Sequence, residues 1–139
     1  MLVASSCRFL ALPKPEEIVA AIDNAKAAGA EALNVVATPL FLANSRVIIE
    51  RVAASRLPAI YQWPELAEQG DLAGYGPRFT QLHRQRARMV VKVLRGAKPA
   101  DLPVEQPTNF ELVVNLKTAK TIAHEIPATL VLRADKVVE

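Results

Sequence analysis

Cysteine is nearly absent. The single thiol, Cys7, cannot form an internal disulfide, and no metal cluster can be assembled from thiols. The two histidines, His83 and His124, have no second histidine at ligand spacing, so no metal site is expected. Five scattered glycines supply no phosphate-cradling loop, and no Gly-x-Ser-x-Gly elbow is present. An enzyme reading therefore has little support, and no catalytic residue or cofactor is expected. No apolar run approaches the ~20 residues of a membrane-spanning helix. Aromatic residues make up only 5% of the chain, which argues against an aromatic-rich β sandwich.

The N-terminus, Met-Leu-Val-Ala-Ser-Ser-Cys-Arg, lacks the basic lead and the roughly 7–15 apolar residues of a secretory signal. The chain expressed as written is therefore expected in the cytoplasm. Net charge is only +3, and the basic residues concentrate on one stretch, Arg78 to Arg95. Arg84, Arg86, Arg88 and Lys92 share it with an apolar face and no interleaved aromatics. That pattern describes a solvated outer face better than a nucleic-acid or anionic-membrane reader.

A hydrophobic fraction of 51% over 139 residues fits one globular unit. Residues 1–12 read as a strand. Pro15 and two acids then open a helix that Gly29 ends, with Ile18, Ile22 and Ala25 along one stripe. Ala32 to Ala37 is almost continuously apolar, the signature of a strand buried on both faces. A second helix is expected to bury Val47, Ile48, Val52 and Leu57, with Asn44 or Ser45 as its cap. Short strands are expected near 58–62 and 72–75, separated by a helix that Pro64 starts and Gly70 stops. The helix from Arg78 to Arg95 should turn Phe79, Leu82, Met89, Val90, Val93 and Leu94 inward. A proline-rich linker, a strand near Asn109 to Leu116 and two short helical pieces complete the chain.

Strands alternating with helices imply an α/β fold: three αβα layers around a mainly parallel sheet. Ligands on such sheets sit beyond the carboxyl ends of the strands. That rule selects three loops, with candidate ligand-binding residues Thr38 and Pro39, then Tyr61, Gln62 and Trp63, then Tyr75 and Gly76. The aromatic rings would stack on an apolar solute or, alternatively, cap the core edge. The Thr38 hydroxyl and the helix start behind it would hold a carboxylate, or simply form a turn. Gly76 permits close backbone approach, by a ligand or by a neighbouring turn.

Several blocks carry a resemblance: Leu57-Pro58-Ala59-Ile60-Tyr61, Tyr75-Gly76-Pro77, the run from Gly96 to Pro107, and the run from Phe110 to Lys120. In that order they resemble the C-terminal portion of ABC-transporter substrate-binding proteins of the tryptophan- and tyrosine-binding type, over about Pro15 to Glu139. The resemblance implies one lobe of a type I periplasmic binding protein. Such a protein closes two lobes over a small solute in the periplasm and delivers it to an ABC permease. Members are about twice this length, so the chain is expected to be a truncated C-terminal lobe. Residues 1–107 would form the lobe and 108–139 a hinge-crossing strand and helical tail, exchanged between protomers of a homodimer of lobes. Two alternatives differ in class: a self-associating structural protein without transport function and, with less support, an anion or nucleic-acid binder using residues 78–95.

Overall fold

Prolines at helix starts and glycines at helix ends divide the chain into its elements. The computed structural model describes residues 14–139; the strand expected over 1–12 lies outside them, as does Cys7. In order they are α1 (Glu17–Ala27), β1 (Leu33–Val35), α2 (Pro39–Ala43), α3 (Ser45–Ala54), β2 (Ala59–Tyr61) and α4 (Pro64–Glu68). Then follow β3 (Ala73–Gly76), α5 (Phe79–Leu94), a 3-10 turn at Pro99–Asp101, β4 (Glu111–Asn115), α6 (Leu116–Thr121), α7 (Ala128–Val131) and β5 (Lys136–Val138). Gly29 and Gly96, beyond the ends of α1 and α5, both adopt positive φ, which costs glycine no Cβ clash.

The strands form one sheet in sequence order, β1 to β5. Pairings β1–β2, β2–β3 and β4–β5 are parallel; β3–β4 is antiparallel. The fold is thus α/β with a mostly parallel sheet, as the alternation of strands and helices implies. The antiparallel pair has a simple cause. Gly76, which ends β3, is the partner of Glu111, which begins β4. The chain between them leaves and re-enters at the same end of the sheet, so β4 must run back. Residues 111–139 accordingly contribute β4, α6, α7 and β5 to the same sheet and its cover.

Side chains alternate across the strands and sort into two faces. Leu33, Val35, Ala59 and Tyr61 face Ile18 and Ile22 of α1, Ile48 and Val52 of α3, and Leu66 of α4. A smaller cluster joins Leu72 to Ala119 and Ile122, with Ala53 packed against it. Asn34 and Ile60, which are register partners, point the other way and are exposed, as is Tyr75 two residues beyond Ala73.

Three expectations about burial need correction. Asn34, on the face of β1 opposite Leu33 and Val35, is exposed, as is Ala37 beyond the strand, so among the described residues β1 is not covered on both faces. Val47 is exposed, because the buried stripe of α3 runs through Ile48 and Val52. The supposed inner face of α5 is also largely open: Val90, Val93 and Leu94 are exposed, and α5 contains no buried residue. Periodicity identified the apolar side of each element but not what lies against it.

Candidate ligand site

The loops after β1, β2 and β3 emerge on one margin of the sheet, because these three strands are parallel. A cavity of about 440 Å³ opens there, lined by Asn34, Ile60, Tyr61, Gln62, Trp63, Tyr75, Gly76, Pro77 and Phe110. Five of the seven expected residues therefore converge: Tyr61, Gln62, Trp63, Tyr75 and Gly76. Thr38 and Pro39 lie outside the lining. Thr38 caps α2, its Oγ1 accepting the Phe41 N–H at 3.0 Å, and Pro39 is the first residue of that helix.

The convergent residues do different jobs. The Tyr61 side chain belongs to the core, with the residue 2% exposed, so its ring is not free to stack on a solute in this conformation. Gln62 ties two loops together, its Oε1 accepting the Ala37 N–H at 2.9 Å. Trp63 is half-buried and stacks on Phe79, ring centroids 4.3 Å apart. Tyr75 is the open aromatic, 54% exposed, with its ring 5.8 Å from Phe110.

The glycines of β3 are fixed by backbone packing. A Cβ on Gly76 would lie 1.9 Å from the Gln62 carbonyl oxygen, and one on Gly74 would lie 2.6 Å from that of Trp63. The close approach at Gly76 is thus made by the turn after β2. This contact holds the Tyr75 strand end against the Gln62–Trp63 loop. Phe110, Asn34, Ile60 and Pro77 were missed by the sequence reading. Alternation from Asn34 and Ile60 carried a usable signal, whereas Phe110 enters only through the β3–β4 pairing.

Among the described residues three buried side-chain oxygens have no partner, Tyr61 Oη, Glu65 Oε2 and Asp71 Oδ2. Burial pushes the Asp71 carboxyl up to about 8, against the Leu72 N–H that Oδ1 accepts at 2.8 Å. Burial, then the Asp71 charge, raises the Tyr61 hydroxyl as well. Beside the site sits an ion cluster. Arg78 donates to Glu68 and Glu111, each at 2.7 Å, and Lys136 meets Glu68 at 3.0 Å. Partial burial alone would raise Glu68, but the bonds from Arg78 and Lys136 hold it below the ordinary carboxylate value. Arg78, which burial alone would lower, is raised by the same contacts. This cluster joins α4, β4, β5 and the entry to α5.

A second cavity of about 520 Å³ lies between α5 and residues 105–109, with Arg84, Arg88 and Glu105 in its wall. It is a groove of mixed charge, and Glu105 also approaches Lys92 at 3.5 Å. Among the described residues no group of three or more His, Cys, Asp or Glu is placed to hold a metal. No helix among them is long and apolar enough to cross a membrane.

Comparison with known proteins fits this geometry. The chain is similar to the L-Trp complex of an ABC domain from Streptococcus pneumoniae, with 26% identity and a TM-score of 0.81, covering 93% of this chain and 43% of that one. It shares its fold with a conserved domain protein from Vibrio cholerae O1 biovar El Tor, at 21% identity and a TM-score of 0.81, covering 89% of this chain and 42% of that one. A ligand-free, open substrate-binding protein with adhesive properties from Clostridium difficile superposes more loosely, with a TM-score of 0.59 at 21% identity, covering 91% of this chain and 42% of that one. No curated protein sequence is significantly similar to the chain. The chain thus spans less than half the length of these structures. The family described as ABC transporter substrate binding protein matches residues 7–138, and the chain belongs to that family.

Proposed function

We propose that this chain is one lobe of a two-lobed, type I solute-binding protein, presenting half of a site for a small molecule with an aromatic or apolar face. The observation that carries the reading is the cavity at the carboxyl ends of β2 and β3, with Tyr75 and Phe110 at its open side and Trp63 behind. Rings of this kind offer apolar area at low entropic cost, while Asn34 and Gln62 bring polar groups to the rim. An amino acid is the favoured solute class, consistent with L-Trp in the similar Streptococcus pneumoniae structure. The protein would hand its solute to an ABC permease, outside the cytoplasmic membrane.

Titration with L-tryptophan and with branched amino acids, read by calorimetry and thermal shift, tests this. Binding to the folded state alone raises stability by RT ln(1 + [L]/Kd), and Tyr75→Ala should abolish the rise. No shift with any amino acid, at concentrations up to several millimolar, would remove the solute-binding reading. Self-association of lobes is the second reading, favoured by the open apolar side of α5. It expects a concentration-dependent dimer whose stability is indifferent to solutes.

A further inference from the structure

Helix α5 contains no acid, yet two of its cations share one side. Arg84 and Arg88 are four residues apart, a spacing that brings like charges together at a small cost to the helix. The sequence pattern alone reads such cations as a solvated face. The returning linker, residues 105–109, turns part of that face into one wall of the groove of about 520 Å³. Among the described residues neither arginine makes an ion pair. The acid in the facing wall is already engaged: Glu105 accepts from Gln85 through Oε2 at 3.2 Å and meets Lys92 through Oε1 at 3.5 Å. With Lys92 set against Glu105, the groove keeps the charge of two guanidinium groups. Gln106, Thr108 and Asn109 add neutral polar groups to its lining, and Leu82 and Pro107 add apolar surface.

We propose that this groove is a second binding site, which takes the phosphate group of a small molecule between Arg84 and Arg88. A planar guanidinium presents paired N–H donors to phosphate oxygens, and two of them match the charge of a dianion better than that of one carboxylate. The volume lies within the ~300–1,000 Å³ of small-molecule sites, so an organic portion would fit against Leu82 and Pro107. Both walls come from α5 and its own linker, and the groove shares only Pro77 with the lining of the solute cavity. The proposal therefore stands apart from the solute-binding reading. A nucleic-acid strand fits less well, because single strands are held on aromatic platforms and no aromatic residue lines this groove.

The test is calorimetric titration of the full chain at constant ionic strength, with inorganic phosphate, glycerol 3-phosphate and succinate as probes. Saturable one-to-one binding of both phosphates is expected, with glycerol 3-phosphate at least as tight as phosphate and succinate weaker than either. Arg84→Gln and Arg88→Gln should each weaken binding about tenfold, the loss of charged hydrogen bonds. Both side chains are exposed and unpaired, so the melts of these variants should not change. Glu105→Gln removes the negative charge of the wall and should tighten binding, whereas Arg95→Gln, outside the lining, should leave it unaltered. No saturation up to about 20 mM phosphate, a weakness that would leave no useful site, overturns the proposal. So does succinate binding as tightly as phosphate, or an equal loss in Arg95→Gln, which would mean attraction by net charge alone. A single-stranded oligonucleotide or phosphatidylglycerol vesicles held through Arg84 and Arg88 more tightly than either phosphate probe also overturns it, since the occupant would then be a nucleic acid or a membrane.

Discussion

Leu57, in the body of the fold three residues beyond α3, and Leu94, the last residue of α5 in the arm of residues 77–112 that holds no buried residue, are the same side chain and meet opposite fates. Leu57 is 1% exposed, packed beneath α1 and α3, while Leu94 stands in solvent at the end of α5. The body and the arm therefore share a sequence grammar and differ in whether the cover lies within the described residues. An amphipathic pattern states which side of an element needs burial. It does not state that the burial is local.

The sharpest way to break this comparison is to add the same methyl group to a glycine in each region. Gly76→Ala drives a Cβ onto the Gln62 carbonyl oxygen, where no flexible side chain can yield. We expect a loss of ~3 kcal/mol or more, or failure to fold. Gly96→Ala meets nothing in space and is strained only by its positive φ of 97°, so it should cost about 1 kcal/mol. Urea denaturation of both variants measures the difference. Equal losses would mean that the arm is as tightly built as the body.

Next in size are the two leucines. Leu57→Ala should cost roughly 2–5 kcal/mol, because it opens a cavity in a closed core. Leu94→Ala should change the stability of the chain by no more than ~0.5 kcal/mol, since it uncovers almost nothing. Thermal and chemical melts of the chain alone check both. A large loss from Leu94→Ala would mean that α5 already has its cover.

The body also carries a cost that the arm does not, the buried Asp71 carboxyl, whose Oδ2 has no partner. Its folded-state value of about 8 lies above the ~3.9 of an unfolded chain. The folded form therefore keeps a proton that the unfolded form releases. Its contribution is intact below about pH 4, declines as pH rises toward 8, and changes no further above that. Asp71→Asn should flatten this slope and raise stability at pH 8, on the order of a few kcal/mol. Melts between pH 5 and 9 read it, and an unchanged slope would mean that the carboxyl finds a partner.

Much of the body was legible because its signals are local. Pro15, Gly29, Pro64 and Gly70 bracket helices where expected, and the strands near Ala59–Tyr61 and Ala73–Gly76 fall as read. The candidate site was half legible. Strand ends could be placed on one margin from the alternation of strands and helices, which brought Trp63 and Tyr75 together. Rotation about the strand could not be read, so Tyr61, one residue from exposed Ile60 and Gln62, was not recognised as core. Phe110 joins Tyr75 through an antiparallel pairing set by where the arm returns, a long-range fact with no local mark. The strand Lys136–Val138 also went unread: three residues beside β4 carry too short a pattern to register.

The smallest expected effect lies at the junction of the two regions. Arg78 sits where the arm leaves the body, with its side chain 17% exposed and bonded to Glu68 and Glu111. Arg78→Ala removes both bonds but leaves Glu68 with Lys136 and Glu111 with Gln81, so global stability should fall by only about 1 kcal/mol. The pH signature is more specific. Glu68 is held below its ordinary value, so its contribution is present above the unfolded value near 4.3 and is lost as pH falls through the folded one. Removing Arg78 should soften that acid loss without altering the decline between about pH 4 and 8 that Asp71 sets. If the arm is joined to the body chiefly at this point, amide exchange in Arg78→Ala should quicken over residues 79–94 and stay unchanged in β2 and β4. Uniform acceleration through both regions would mean that Arg78 supports the whole fold, and that body and arm do not differ in the way the buried residues suggest.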